Sequence, residues 1–297
     1  MDDEMRVGIV DVGSNTVRLL VGDVSGGTVE TICEERAFLG LGAEILAHDR
    51  IRRRKLREVA RVAEDFASAA RRRGVRALET VVTAPGRQSS SGEELVSTLA
   101  RATEAPGRIA TPEEEGQLAF AGALSRTRVT DAVVAVCDVG GGSTEIVVGT
   151  PLLGPAWVRS VDVGSLRLTA AVLHGDPPTP AQVEAAEATI AARFSALVPP
   201  RPELALATGG SARAIAKIVG GSYGPAELER VLRRLVARPA GATAAALGIE
   251  LERAQSLAAG ALVLRHVSTL LGTAFTPARG GIREGAALAL AAERAAA

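Results

Sequence analysis

The most constraining feature of the chain is a pattern that occurs twice. Residues 6–24 read "RVGIVDVGSNTVRLLVGDV", and residues 132–149 read "AVVAVCDVGGGSTEIVVG". In each, an apolar run ends on an acid, a short turn rich in glycine and hydroxyl side chains follows, and a second apolar run leads away. Asp138 stands 127 residues (138 − 11) after Asp11. Runs this short, bounded by glycine turns, predict buried strands rather than helices. A chain that opens the same strand–turn–strand unit twice is expected to be a duplicated fold.

The surrounding pattern supports that reading. Strands are expected over Arg6–Asp11, Val17–Val24 and Thr28–Phe38, and a long helix over Arg52–Arg73, whose Leu56, Val59, Ala63, Phe66 and Ala70 recur at a helical period. A strand (75–84), a loop "PGRQSSSG" (85–92) and a helix (93–103) come next. Thr111-Pro112-Glu113 then starts another helix, with a capping threonine, proline at the first position and acids in the first turn. The second half repeats the meander at 131–138, 145–149 and 156–161. Helices at 165–173 and 180–197 and a strand at 203–207 ending in "TGGS" follow, and the remainder is mostly helical with a short strand near 274–277. Alternation of this kind is α/β architecture in two domains. The division expected is 1–124 and 125–281, with a terminal helix over 282–297 returning to the first domain.

With 297 residues, the chain has material for two cores, and 47% hydrophobic with 23% charged residues fits a globular protein. The longest apolar runs fall far short of a membrane span, and the acidic start has no signal-peptide pattern, so a cytoplasmic protein without membrane attachment is expected. Thirty-four basic residues balance thirty-four acidic ones. That balance, with five Phe, one Trp and one Tyr, argues against a nucleic-acid partner. Cys33 and Cys137 lie in strand-like segments and read as free thiols.

The two turns suit phosphate. Glycines let backbone N–H groups approach an anion without side-chain interference. Gly13, Ser14, Asn15 and Thr16 form the first candidate grip, and Gly140, Gly141, Gly142 and Ser143 the second. Gly209, Gly210 and Ser211 make a third glycine loop, at a strand end before a helix. Asp11, Asp138 and Glu145 supply hard oxygens suited to Mg²⁺. One such turn alone would be ordinary turn chemistry; the repetition is what favours phosphate. The acids Glu113–Glu115 read more simply as a complement to a helix N-terminus, and Arg87 reads equally well as a surface arginine. The basic run "RIRRRKLR" (50–57) reads as a solvated helix face, with a polyanion track as the sharper alternative.

"DVGSNTVRLL", "DVGGGSTEIVVG" and "ATGGSARAIAKI" resemble the phosphate motifs of the actin–Hsp70–sugar-kinase superfamily, and within it the exopolyphosphatase/guanosine pentaphosphate phosphohydrolase (Ppx/GppA) family. "VVTAPGRQ", "IATPEEEGQLAFAGAL", "VDVGSLRLT" and "GGIREGAAL" extend the resemblance along the chain. It implies two ribonuclease-H-like domains with the active site in the cleft between them, and a short two-domain form without the helical region of longer members. It also implies a Mg²⁺-dependent exopolyphosphatase releasing orthophosphate from polyphosphate ends, with hydrolysis of guanosine pentaphosphate as the alternative. A non-catalytic polyphosphate or nucleotide sensor is the reading of another class, and a homodimer is the family's habit. Arg87 takes a phosphate-contacting role. The water-activating base falls on Glu115, with Glu114 in reserve, because Gly116 and the extra acid Glu113 leave the register open by one residue. Like charge from bound anions would raise the pKa of such a base.

Overall fold

The computed structural model describes residues 4–296. It divides into two compact units, one running to Thr127 and resuming at Gly280, the other spanning Arg128–Arg279.

The first unit opens with strands β1 (Met5–Val12), β2 (Thr16–Ser25) and β3 (Thr28–Phe38), then α1 (Leu41–His48) and α2 (Arg53–Arg72). After these come β4 (Ala77–Val82), α3 (Ala84–Gln88), α4 (Gly92–Thr103), β5 (Gly107–Ile109), α5 (Pro112–Leu124) and, from the chain's end, α12 (Ile282–Ala296). The strands form one five-stranded sheet in the order β3-β2-β1-β4-β5, antiparallel through the meander and parallel from β1 onward. Successive side chains of a strand point to opposite faces. Val10 and Val12 therefore join Leu56, Val59, Ala63, Leu95 and Leu99 of α2 and α4 on one face. Val7 and Ile9 join Leu118 of α5 and Ala286, Ala287 and Leu290 of α12 on the other. Asp11 continues the Val7–Ile9 row, so the acid closing β1 stands on the α5/α12 face.

The α5–α12 crossing is a backbone-to-backbone contact. A methyl group on Gly122 would overlap the Gly281 carbonyl, and one on Gly285 would overlap the Leu118 carbonyl. Arg283, 7% exposed, pins the start of α12 by donating to Glu34 at 2.6 Å and to the Leu19 carbonyl at 3.3 Å.

The second unit repeats the plan with β6 (Val134–Val139), β7 (Thr144–Thr150) and β8 (Gly154–Val161), followed by α6 (Ser165–Ala171) and α7 (Pro180–Phe194). Next are β9 (Leu204–Thr208), α8 (Gly209–Val219), α9 (Pro225–Leu235), α10 (Ala240–Leu247), α11 (Leu251–Leu271) and β10 (Phe275–Pro277). Its sheet order is β10-β9-β6-β7-β8. The fold is α/β with two five-stranded sheets, each built on an opening meander. Two local expectations are corrected. The stretch after β4 begins as the short helix α3 rather than as loop, and α1, which the sequence reading did not contain, follows β3. Cys33 and Cys137 are free, as expected.

On α11, His266 packs edge-on against Phe194 of α7, ring centroids 5.3 Å apart. Burial, aided by the positive charge of Arg265, pushes the imidazole pKa below its usual value of 6.5. The folded state therefore holds His266 neutral while the unfolded chain takes up a proton first. Its contribution to stability is present above pH 6.5 and is lost as pH falls toward the lower folded pKa. Urea unfolding across pH 7 to 5 is expected to show a declining stability that His266→Phe flattens.

Candidate functional site

In the first unit, the β1–β2 turn is closed by Gly13 N–H donating to the Thr16 carbonyl at 3.0 Å. The corner leading into α1 braces it: the Asn15 carbonyl accepts from Leu39 and Gly40, and the Ser14 carbonyl accepts from Gly42 at 2.7 Å. Asn15 Nδ2 is a buried donor without a hydrogen-bond partner among the described residues. Leaving such a donor unsatisfied costs free energy unless an acceptor arrives.

The three consecutive acids at the start of α5 have separate fates. Glu113 is exposed. Glu114 is committed to structure: its carboxylate accepts from Thr111 N–H at 3.2 Å, its own N–H donates to Thr111 Oγ1 at 3.1 Å, and its other oxygen takes the Arg108 guanidinium. Arg108 is in turn held by Glu79 at 2.6 Å. Glu115 is only 4% exposed and pairs with Arg87 Nη2 at 2.7 Å. Arg87 also donates to the Ala110 carbonyl at 2.7 Å, which fixes its fork. It comes from the end of α3, not from a loop. Glu115 thus has a guanidinium as its close neighbour, where the sequence reading surrounded it with anions. Thr111→Ala is expected to cost about 1 kcal/mol of stability through loss of the cap, measurable by urea titration.

In the second unit, Asp138 and Glu145 are directly paired across the β6–β7 ladder, and Thr208 of β9 stands opposite Asp138 on its other side. Paired residues share a face, so two carboxylates and a hydroxyl gather at one end of the sheet. Asp138 is 7% exposed and Glu145 1%. Ser160 donates to Glu145 at 2.7 Å. The glycine turn is held by Gly140 N–H donating to the Ser143 carbonyl at 3.0 Å, and its carbonyls receive the first N–H groups of α6: Ser165 to Gly140, Leu166 and Arg167 to Gly141. Ser165 Oγ also donates to Gly140. Gly164 is the cap residue of α6, and Arg167 pairs with Asp162 at 3.4 Å.

The third glycine loop abuts this cluster. Gly209 has φ +89°, and a Cβ there would sit 2.7 Å from Asp138 Oδ1. Only glycine meets both demands. Thr208 Oγ1 and Ser211 Oγ are buried without hydrogen-bond partners among the described residues. Ser211 Oγ faces the Gly260 position of α11, where a Cβ would lie 2.4 Å away, so it belongs to packing between α8 and α11. The guanidinium of Arg253 lies against Gly210, in the space a side chain there would fill. Arg253 was missed in the sequence because nothing in "LERAQSL" separates it from any helical arginine.

Among the described residues, no three His, Cys, Asp or Glu side chains gather into a ready-made metal cage. Mg²⁺ seldom needs one, since it keeps several waters and takes one or two carboxylates beside substrate phosphate. The buried, hard-oxygen pair Asp138 and Glu145 fits that requirement.

The family model described as the Ppx/GppA phosphatase family matches residues 19–293. Exopolyphosphatase 1 of Mycobacterium tuberculosis is 30% identical over 281 residues, covering 87% of this chain and 80% of that protein. An uncharacterized protein of Streptomyces coelicolor is 30% identical over 285 residues, covering 90% and 84%. The crystal structure of the Aquifex aeolicus Ppx/GppA family member superposes with a TM-score of 0.83 at 22% identity, covering 98% of this chain and 99% of that one.

Proposed function

The chain belongs to the Ppx/GppA phosphatase family, and from that premise we propose that it is a Mg²⁺-dependent exopolyphosphatase releasing orthophosphate from polyphosphate ends. The observation that carries the catalytic part is the division of labour on α5. Glu114 is consumed by the helix cap and Arg108, whereas Glu115 is buried beside Arg87. The named relative supports the choice of substrate.

In this reading the turns at Gly13–Thr16 and Gly140–Ser143 bind phosphate oxygens through backbone N–H groups, and Asn15 Nδ2 gains the acceptor it lacks. Arg87 offers one edge of its guanidinium to phosphate while the other stays on the Ala110 carbonyl, a two-sided role that Lys cannot fill. Glu115, released from part of its pairing when Arg87 turns to phosphate, orients water and takes its proton. The water oxygen bonds to the terminal phosphorus, the anhydride P–O bond breaks, and the shortened chain leaves with that oxygen. Asp138 and Glu145 would hold Mg²⁺, which neutralises charge on the phosphoryl oxygens when bound. The rate enhancement is mainly positioning and electrostatics.

The test is a substrate panel of polyphosphates, guanosine pentaphosphate and ATP, with Mg²⁺ or with chelator, read as released orthophosphate. The proposal expects Mg²⁺-dependent release with polyphosphate preferred. Preference for guanosine pentaphosphate would replace the substrate assignment. Binding without release would make the protein a sensor.

A further inference from the structure

We propose that Arg53, Arg54 and Arg57, at the start of α2, form a landing surface for the distal part of a polyphosphate chain whose end is being hydrolysed. The inference rests on the polyphosphate reading above and extends it to a second, noncatalytic site.

The start of α2 breaks an electrostatic rule. Positive side chains disfavour a helix N-terminus, where the macrodipole is itself positive, and α2 has no acid in its first turn. Elsewhere, arginines in first turns are compensated: Arg167 by Asp162 and Arg283 by Glu34. Within the basic run itself, Arg50 pairs with Glu94 at 3.9 Å, Arg52 with Glu44 at 2.6 Å, and Lys55 with Glu58 at 2.7 Å. Arg53, Arg54 and Arg57 are exposed and have no ion pair or hydrogen bond from their side chains among the described residues. Spacings of three and four residues put Arg57 beside both of the others on the helix surface, where like charges repel. Three uncompensated cations on one face lower stability with no return inside the fold, which is the signature of a site kept for a ligand.

The surface is also joined to the segment that carries Arg87. Ile51 N–H donates to Ser91 Oγ at 2.9 Å, and Ser90 donates to the Asp49 carbonyl through its N–H at 3.0 Å and its hydroxyl at 2.7 Å. Residues 49–51 and 89–91 thus fix the start of α2 to the stretch directly following α3. Guanidinium forks match phosphate oxygens, and a repeating polyanion is the ligand able to occupy such a surface while its end is elsewhere. Tripolyphosphate, only three phosphates long, is the short substrate for comparison.

The test compares wild type with Arg53→Glu/Arg54→Glu/Arg57→Glu and with the corresponding triple lysine variant, on tripolyphosphate and on long-chain polyphosphate. The glutamate variant is expected to raise KM for the long chain about tenfold, as three exposed charge contacts would. Its kcat, and both constants for tripolyphosphate, should be unchanged, and the lysine variant should restore most of the long-chain KM. An unchanged long-chain KM, or an equal shift on both substrates, would overturn the proposal. If wild type hydrolyses no polyphosphate, the functional reading fails separately, and fluorescence anisotropy with labelled long-chain polyphosphate reads the surface directly. Roughly tenfold weaker binding by the glutamate variant then supports the site, and equal affinity overturns it. Competition by a single-stranded oligonucleotide as effective as polyphosphate at equal charge would also overturn the ligand assignment.

Discussion

Glu115→Gln is expected to lower kcat for phosphate release by about 10²–10⁴-fold, the range for loss of a general base, with the fold intact. The side chain keeps its volume in a site that is 4% exposed, and the amide cannot take a proton from water. Glu114→Gln should behave in the opposite way. It weakens a capping box and the contact to Arg108, so about 1 kcal/mol of stability is lost while kcat stays within a few-fold of wild type. Paired urea titrations and initial rates on both variants separate the two roles. A Glu114 variant as inactive as the Glu115 variant would move the base by one residue.

The second large effect is structural. Gly285→Ala is expected to destabilise the protein by about 3 kcal/mol, because its methyl group must displace the Leu118 backbone of α5. Leu118 lies one turn beyond Glu115, so a strained crossing should also lower kcat at temperatures where the variant remains folded. Gly241 of α10 makes a suitable contrast. A Cβ there meets nothing within 4 Å, and Gly241→Ala should stabilise by about 0.5 kcal/mol through helix propensity. Thermal unfolding of the two variants measures both.

Much of this architecture was legible in the sequence because it rests on local periodicity. The meander strands follow from alternating apolar residues between glycine turns. Helix α2 follows from the spacing of Leu56, Val59, Ala63, Phe66 and Ala70, all of which are buried. The capping role of Thr111 was legible from Thr-Pro-Glu alone. What escaped depends on contacts between residues distant in sequence. Helix α1 is short and weakly amphipathic, so its period has no force. The stretch "APGRQ" reads as loop through its Pro and Gly, yet Pro fits an early helical position and Gly86 packs tightly under Ile109 and Val82. The distinct fates of Glu114 and Glu115 needed Arg108 and Arg87, which reach α5 from β5 and α3. Arg253 beside Gly210 is a contact between α11 and α8 that no local pattern announces.

The measurement that bears most directly on the functional account is a phosphorus NMR time course of long-chain polyphosphate with the purified protein and Mg²⁺. The account predicts that the orthophosphate signal grows from the start, while internal phosphate declines in step and no chains of intermediate length precede it. Early appearance of mid-length fragments, or an unchanged spectrum with active Mg²⁺ present, would contradict it.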